Sequence, residues 1–150
     1  MKSIPYGRQN ITEEDIEAVV AVLKSDYLTQ GPAIPEFEKM FSEYIGAKYS
    51  VAVSNGTAAL HLCALATDLK PNEKVITTPI TFAASANCVT YCSGNIIFAD
   101  IDPCSYLINL NIVEDLLKKD YRKEIKGVIP VDFAGYPISA SDFRFLADKY

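Results

Sequence analysis

One histidine, His61, and no Cys-x-x-Cys pair leave this sequence without a recognisable set of metal ligands. Its four cysteines are Cys63, Cys88, Cys92 and Cys104. Cys88 and Cys92 stand four apart, on one face of an expected helix, and read as small buried apolar residues rather than a thiolate pair. His61 reads as a packing or hydrogen-bonding residue with no catalytic role. No apolar run reaches membrane-spanning length, and Met1-Lys2-Ser3 does not open a signal peptide, so the expected location is the cytoplasm. There is no G-x-S-x-G elbow, no Walker lysine and no G-x-G-x-x-G, which disfavours the nucleophile-elbow hydrolases, P-loop proteins and plain Rossmann domains. Repeats, low-complexity tracts, charge runs and obvious linkers are missing as well. A net charge of −5 argues against a broad nucleic-acid-binding surface, though it leaves room for one local anion pocket.

What is there is a chain of 150 residues, 49% apolar and 22% charged, enough for a sizeable core. Its organising stretch is Ser54-Asn55-Gly56-Thr57-Ala58-Ala59-Leu60. A β-branched run, Tyr49–Val53, precedes it and an apolar helical pattern follows to Ala66. A strand that passes through a glycine turn into a helix leaves several backbone N–H groups unpartnered at the helix start, where the helix dipole adds positive potential. Such a start is a ready anion site. Thr57 offers a hydroxyl, and Ala58 and Ala59 permit close approach. Gly and Thr also serve plain helix capping, so the residues alone leave both readings open.

In order, Ile4-Pro5-Tyr6 is expected to be extended. Thr12-Glu13-Glu14-Asp15 resembles a capping box with Asp in place of Glu, and Ile16, Val19, Val20 and Leu23 predict a buried stripe on the helix it opens. Ser25–Pro32 breaks that helix with a polar loop long enough to carry a contact surface. Phe37, Met40, Phe41, Tyr44 and Ile45 mark a second amphipathic helix, stopped by Gly46. Strands are then expected at Tyr49–Val53, Lys74–Thr77, Ile96–Ala99 and Gly127–Val131, with Pro130 demanding an edge or strand-end position. Helices are expected at Thr57–Ala66, Phe82–Cys92, Ile112–Lys119 and from Ser141 onward.

Apolar strands alternating with helices predict an α/β fold, a mostly parallel sheet covered by helices on both faces. Ligands gather at the carboxyl ends of such strands. That rule puts Ser54–Ala58, Thr78–Phe82, Asp100–Asp102 and Asp132–Gly135 on one rim. Phe82 could stack on a planar ligand or pack under its helix; Asp100, Asp102 and Asp132 could act as acids, bases or ligands, or simply shape turns. The last helix has no following strand, so the chain reads as the front part of something larger.

Tyr49–Leu62 together with Thr77–Asn87 resembles the DegT/StrS-type sugar aminotransferases, fold-type-I enzymes that use pyridoxal 5′-phosphate. The resemblance extends through Leu28–Pro32, Phe98–Asp102 and Val131–Gly135, and covers the chain in the family's order. Tyr6, Asn10–Asp15 and Val131–Gly135 resemble the subgroup that serves pseudaminic acid biosynthesis.

The resemblance implies the N-terminal part of a fold-type-I large domain, with residues 1–48 as a helical arm and substrate loop and 49–150 as the first portion of the cofactor domain. It implies that Gly56, Thr57 and Ala58 bind the cofactor phosphate, largely through backbone N–H groups, and that Phe82 stacks on the pyridine ring. It places Tyr6, Asp26, Tyr27, Leu28, Thr29 and Gly56 at the nucleotide-sugar, and Asp132 near the cofactor without touching it. Glutamate as amino donor, a nucleotide-linked 4-keto-6-deoxy sugar as acceptor and a homodimer follow from the same resemblance; no metal, nucleic acid or membrane partner is expected from the composition read above. The family's Schiff-base lysine sits in a Ser-x-His-x-x-Lys-like segment, which no lysine of this chain matches; it is expected beyond residue 150, so this chain alone is expected to be inactive. Two rivals stand beside this reading: a sugar dehydratase of the same fold, and a non-catalytic ligand-binding or interaction module.

Overall fold

The computed structural model describes residues 7–150, in two compact units that divide after Ala52. The first holds α1 (Glu13–Leu23) and α2 (Ala33–Ile45). Thr12 caps α1 with the reciprocal pair that the sequence suggested: Asp15 N–H donates to Thr12 Oγ1 at 3.4 Å, and Thr12 N–H to Asp15 Oδ2 at 2.8 Å. The Thr12 N–H, and after it the Thr12 hydroxyl donating to Asp15 Oδ2 at 3.1 Å, hold the Asp15 carboxyl below its usual pKa. Gly46 closes α2 in the left-handed conformation (φ 71°), which a side chain would resist.

The second unit holds α3 (Gly56–Ala66), β1 (Lys74–Thr77), α4 (Ala84–Tyr91), β2 (Asn95–Phe98), α5 (Leu110–Lys119), β3 (Ile125–Ile129) and α6 (Ala140–Lys149). All pairing is parallel, in the order β2-β1-β3, with Ile76 opposite Ile97 and Val128. Because side chains alternate along a strand, β1 feeds two cores. Val75 packs with Ala64, Cys88 and Val89 beneath α3 and α4. Ile76 packs with Ala99, Ile108, Val113 and Leu146 beneath α5 and α6. The α/β sheet covered on both faces is thus observed. Pro130 follows the last residue of β3, an outer strand, where its missing N–H breaks no ladder.

Three expectations need correction. Tyr49–Val53 is not a strand: among the described residues the sheet has three strands, and this segment has none beside it to complete a ladder. Its Ala52 N–H donates instead to Glu38 Oε1 at 2.8 Å. The stripe on α1 is not buried, with Ile16 46%, Val19 60% and Leu23 64% exposed, because a helical pattern reports a face seeking cover and not its cover. Several boundaries also move by one or two residues: β2 and β3 start earlier than read, and α4 starts at Ala84. Ile4-Pro5-Tyr6 lies outside the described residues.

Helices α5 and α6 are tied through one carboxylate. Glu114 accepts from Lys149 Nζ at 2.7 Å, Tyr150 Oη at 3.0 Å and Lys118 Nζ at 3.1 Å. Lys149 foremost, then Lys118 and Tyr150, bring the Glu114 carboxyl down to about 2. A depressed folded-state pKa contributes stability above the unfolded value near 4.5, a contribution that fades as pH falls toward 2. Glu114→Gln should therefore lower the melting temperature at pH 7 and leave it unchanged near pH 2. An equal deficit at both pH values would contradict the tie.

Candidate functional site

The local sequence explains the geometry at the start of α3. Asn55 is extended (φ −170°, ψ 170°) and acts as N-cap, its Oδ1 accepting the Ala58 N–H at 2.9 Å, while its carbonyl accepts the Ala59 N–H at 3.1 Å. Among the described residues no acceptor meets the N–H groups of Gly56 and Thr57. A Cβ at Gly56 would touch nothing within 4 Å, so the space beside this turn is open. The residues here, Asn55 to Ala58, carry no negative charge. Two free amides, a threonine hydroxyl and the positive end of a helix suit a phosphate ester. Asn55 is the part of this arrangement to which the sequence reading gave no role; its signal was a preferred N-cap residue directly before the helix glycine.

Residues 67–73 join the end of α3 to the amino end of β1, so the first turn of α3 lies toward the sheet's carboxyl edge. That edge also carries the loops after each strand. After β1, Thr77 and Thr78 are buried; Thr77 Oγ1 donates to the Ile129 carbonyl at 2.9 Å and so locks β1 to β3 at its exit. Thr81 and Ser85 share a hydroxyl hydrogen bond of 2.8 Å, and the Phe82 carbonyl accepts the Ser85 N–H at 3.0 Å. These bonds hold the backbone at the start of α4. The Phe82 ring itself is 76% exposed, so it does not pack under its helix.

The three rim aspartates shape turns. Asp100 Oδ1 accepts the Ile101 N–H, and Asp102 Oδ1 accepts from Cys104 N, Ser105 N and Ser105 Oγ. The Ser105 and Cys104 donors hold the Asp102 carboxyl below its usual pKa. Asp132 Oδ1 accepts the Ile138 N–H at 2.8 Å across the turn Phe133–Gly135. The Phe133 ring stacks on Tyr106 at 5.8 Å, joining the loops after β2 and β3. Away from the rim, His61 sits edge-on to Tyr91 at 5.2 Å, and Cys88 is buried, which pushes its thiol pKa up. Among the described residues no group of three or more His, Cys, Asp or Glu side chains could hold a metal ion, and no helix is long and apolar enough to cross a membrane.

Asp26, Tyr27, Leu28 and Thr29 belong to the first unit, in the loop between α1 and α2. All four are exposed, and Tyr27–Thr29 help line a concavity of about 300 Å³. Gly56, Thr57, Ala58, Phe82 and Asp132 belong to the second unit, toward the sheet's carboxyl edge. Tyr6 lies outside the described residues.

Fold and site together define a class: a parallel α/β domain whose carboxyl edge carries a helix start with two unpartnered amides and an exposed aromatic ring. The chain belongs to the DegT/DnrJ/EryC1/StrS aminotransferase family, which it matches over residues 9–150. It is 35% identical over 147 residues to the UDP-4-amino-4,6-dideoxy-N-acetyl-beta-L-altrosamine transaminase of Campylobacter jejuni, covering 98% of this chain and 38% of that protein. Among solved structures it resembles the PLP form of Spr1654 from Streptococcus pneumoniae, described as a sugar aminotransferase (TM-score 0.87, 28% identity, 99% of this chain and 37% of that one). It also resembles Helicobacter pylori PseC, an aminotransferase of pseudaminic acid biosynthesis (TM-score 0.83, 29% identity, 99% and 39%). The chain thus spans less than two fifths of the length of these proteins, and its fold is that of their N-terminal part.

The Asn55 cap makes a direct prediction. Asn55→Ala removes the acceptor for Ala58 and should cost about 1 kcal/mol in denaturant unfolding. No loss of stability would mean that the side chain does not cap α3.

Proposed function

We propose that this chain is the N-terminal part of a pyridoxal 5′-phosphate-dependent aminotransferase that acts on a nucleotide-linked 4-keto-6-deoxy sugar, with glutamate as amino donor. The observation that carries the proposal is the pair of unpartnered amides at Gly56 and Thr57, at the start of a helix directed to the edge where the Phe82 ring stands exposed. The family membership of residues 9–150 and the PLP form of the solved relative support it.

In this reading the amides of Gly56 and Thr57, with the Thr57 hydroxyl, hold the cofactor phosphate. The Ala58 amide joins them once Asn55 Oδ1 gives it up, a local exchange of one acceptor for another. Phe82 presents a flat apolar face to the pyridine ring and keeps water from that side. Asp132 shapes the turn after β3 beside the cofactor and touches neither cofactor nor sugar. Asp26–Thr29, with Tyr6 and Gly56, contacts the nucleotide-sugar. When bound, pyridoxal phosphate supplies the electron sink that lets an amino group pass from one carbon skeleton to another. The Schiff-base lysine is assigned to a part of the enzyme outside these residues, so the 150-residue chain alone is inactive. The complete enzyme is a cytoplasmic homodimer that serves surface-glycan biosynthesis of the pseudaminic acid type, with residues 1–48 as the arm and 49–150 as the start of the cofactor domain.

The test is transfer of label from ¹⁵N-glutamate. The complete enzyme should place the label on a nucleotide-linked keto-sugar, and the 150-residue chain should not. Failure of the complete enzyme to label any nucleotide-sugar, with glutamate or another amino acid, would overturn the proposal.

A further inference from the structure

We infer that Ser25 and Gly31 are positioning residues: together they fix the backbone of Tyr27–Gln30, so that this loop meets the nucleotide-sugar with main-chain amides. The inference rests on the sugar-aminotransferase reading above and names two residues to which that reading gives no part.

The first anchor is Ser25, just past the end of α1. Its Oγ lies 2.8 Å from the Val22 carbonyl oxygen and 3.2 Å from that of Tyr27, and it accepts the Tyr27 N–H at 3.2 Å. One hydroxyl thus pins the loop to the helix that precedes it. The second anchor is Gly31, at φ +152°, a conformation that L side chains rarely adopt. A Cβ there would lie 2.5 Å from Tyr27 Cβ and 3.0 Å from Tyr27 Cγ. Those atoms are the stem of the tyrosine side chain, not a flexible tip, so any larger residue forces the backbone of 27–31 apart.

Between the two anchors the chain is held by its base and open at its tip. Leu28 is 67% exposed, and among the described residues no acceptor meets the N–H groups of Leu28, Thr29 and Gln30. Three unspent amides on a fixed base suit the hydroxyl and phosphate oxygens of a nucleotide-sugar. Between the two anchors the one charged side chain, Asp26, has the wrong sign for a phosphate, which favours recognition there through main-chain donors; Lys24 precedes the first anchor, at the end of α1.

In the complete, cofactor-loaded enzyme the two half-reactions separate the possibilities. Gly31→Ala should raise KM for the nucleotide-sugar roughly tenfold or more, as expected when a binding segment is displaced, and leave the amino-acid half-reaction unchanged. Ser25→Ala should act in the same direction by a smaller factor, and Ser25→Thr, which keeps the hydroxyl, should restore the parent value. Unchanged sugar KM in Gly31→Ala, or equal losses in both half-reactions, would overturn the inference. Hydrogen exchange at the Tyr27 amide in the 150-residue chain tests the anchors without any assay of transfer: both Ser25→Ala and Gly31→Ala should speed it. Unaltered exchange would overturn the anchors, whereas faster exchange in an enzyme that aminates no sugar would indict the functional reading instead.

Discussion

Burial of β1 on both faces is the constraint from which the rest of the second unit follows. A four-residue strand with Val75 on one side and Ile76 on the other must be covered twice, and α3 with α4, and α5 with α6, provide the two covers. Once β1 stands between β2 and β3 in parallel, all three strands deliver their chain to the same edge. The buried Thr77, bonded to Ile129, fixes where β1 and β3 leave the sheet relative to one another. Phe82, Asp100 and Asp132 then share a rim as a consequence of topology, although 50 residues separate Phe82 from Asp132.

The proposed function rests on what that edge leaves unsatisfied. At the rim the aspartates close turns, and Thr81 and Ser85 bond each other. At the start of α3 the cap residue satisfies Ala58 and not Gly56 or Thr57. Unspent donors at the positive end of a helix are costly if buried and useful if exposed to an anion. Here Gly56 is exposed and Thr57 half-buried. In the loop of the first unit, Ser25 and Gly31 hold the base, and among the described residues the amides of Leu28, Thr29 and Gln30 meet no acceptor.

Much of this was legible in the sequence for identifiable reasons. Thr12 to Asp15 spelled a capping box in four residues, and Gly46 spelled a helix stop, because both signals are local. Strands β1 to β3 were legible as apolar runs between turns, although Asn95 and Ile125 extend their strands beyond the apolar residues. Tyr49–Val53 shows the limit: its composition is that of a strand, yet strand formation needs a partner that composition cannot supply. The exposed stripe on α1 shows the same limit for packing. As for the candidate site, the glycine turn before α3 could be read, whereas the exposure of Phe82 and the capping of Ala58 by Asn55 required coordinates. So did Gly31, whose necessity comes from Tyr27 pressing on it.

The central claim is that the opening turn of α3 is a phosphate cradle facing an aromatic platform. A crystal structure of the complete enzyme with pyridoxal phosphate tests it most directly. The account expects phosphate oxygens within hydrogen-bond distance of the Gly56 and Thr57 amides and the pyridine ring lying flat on Phe82. A phosphate bound elsewhere, or a Phe82 ring turned into the core, would contradict it.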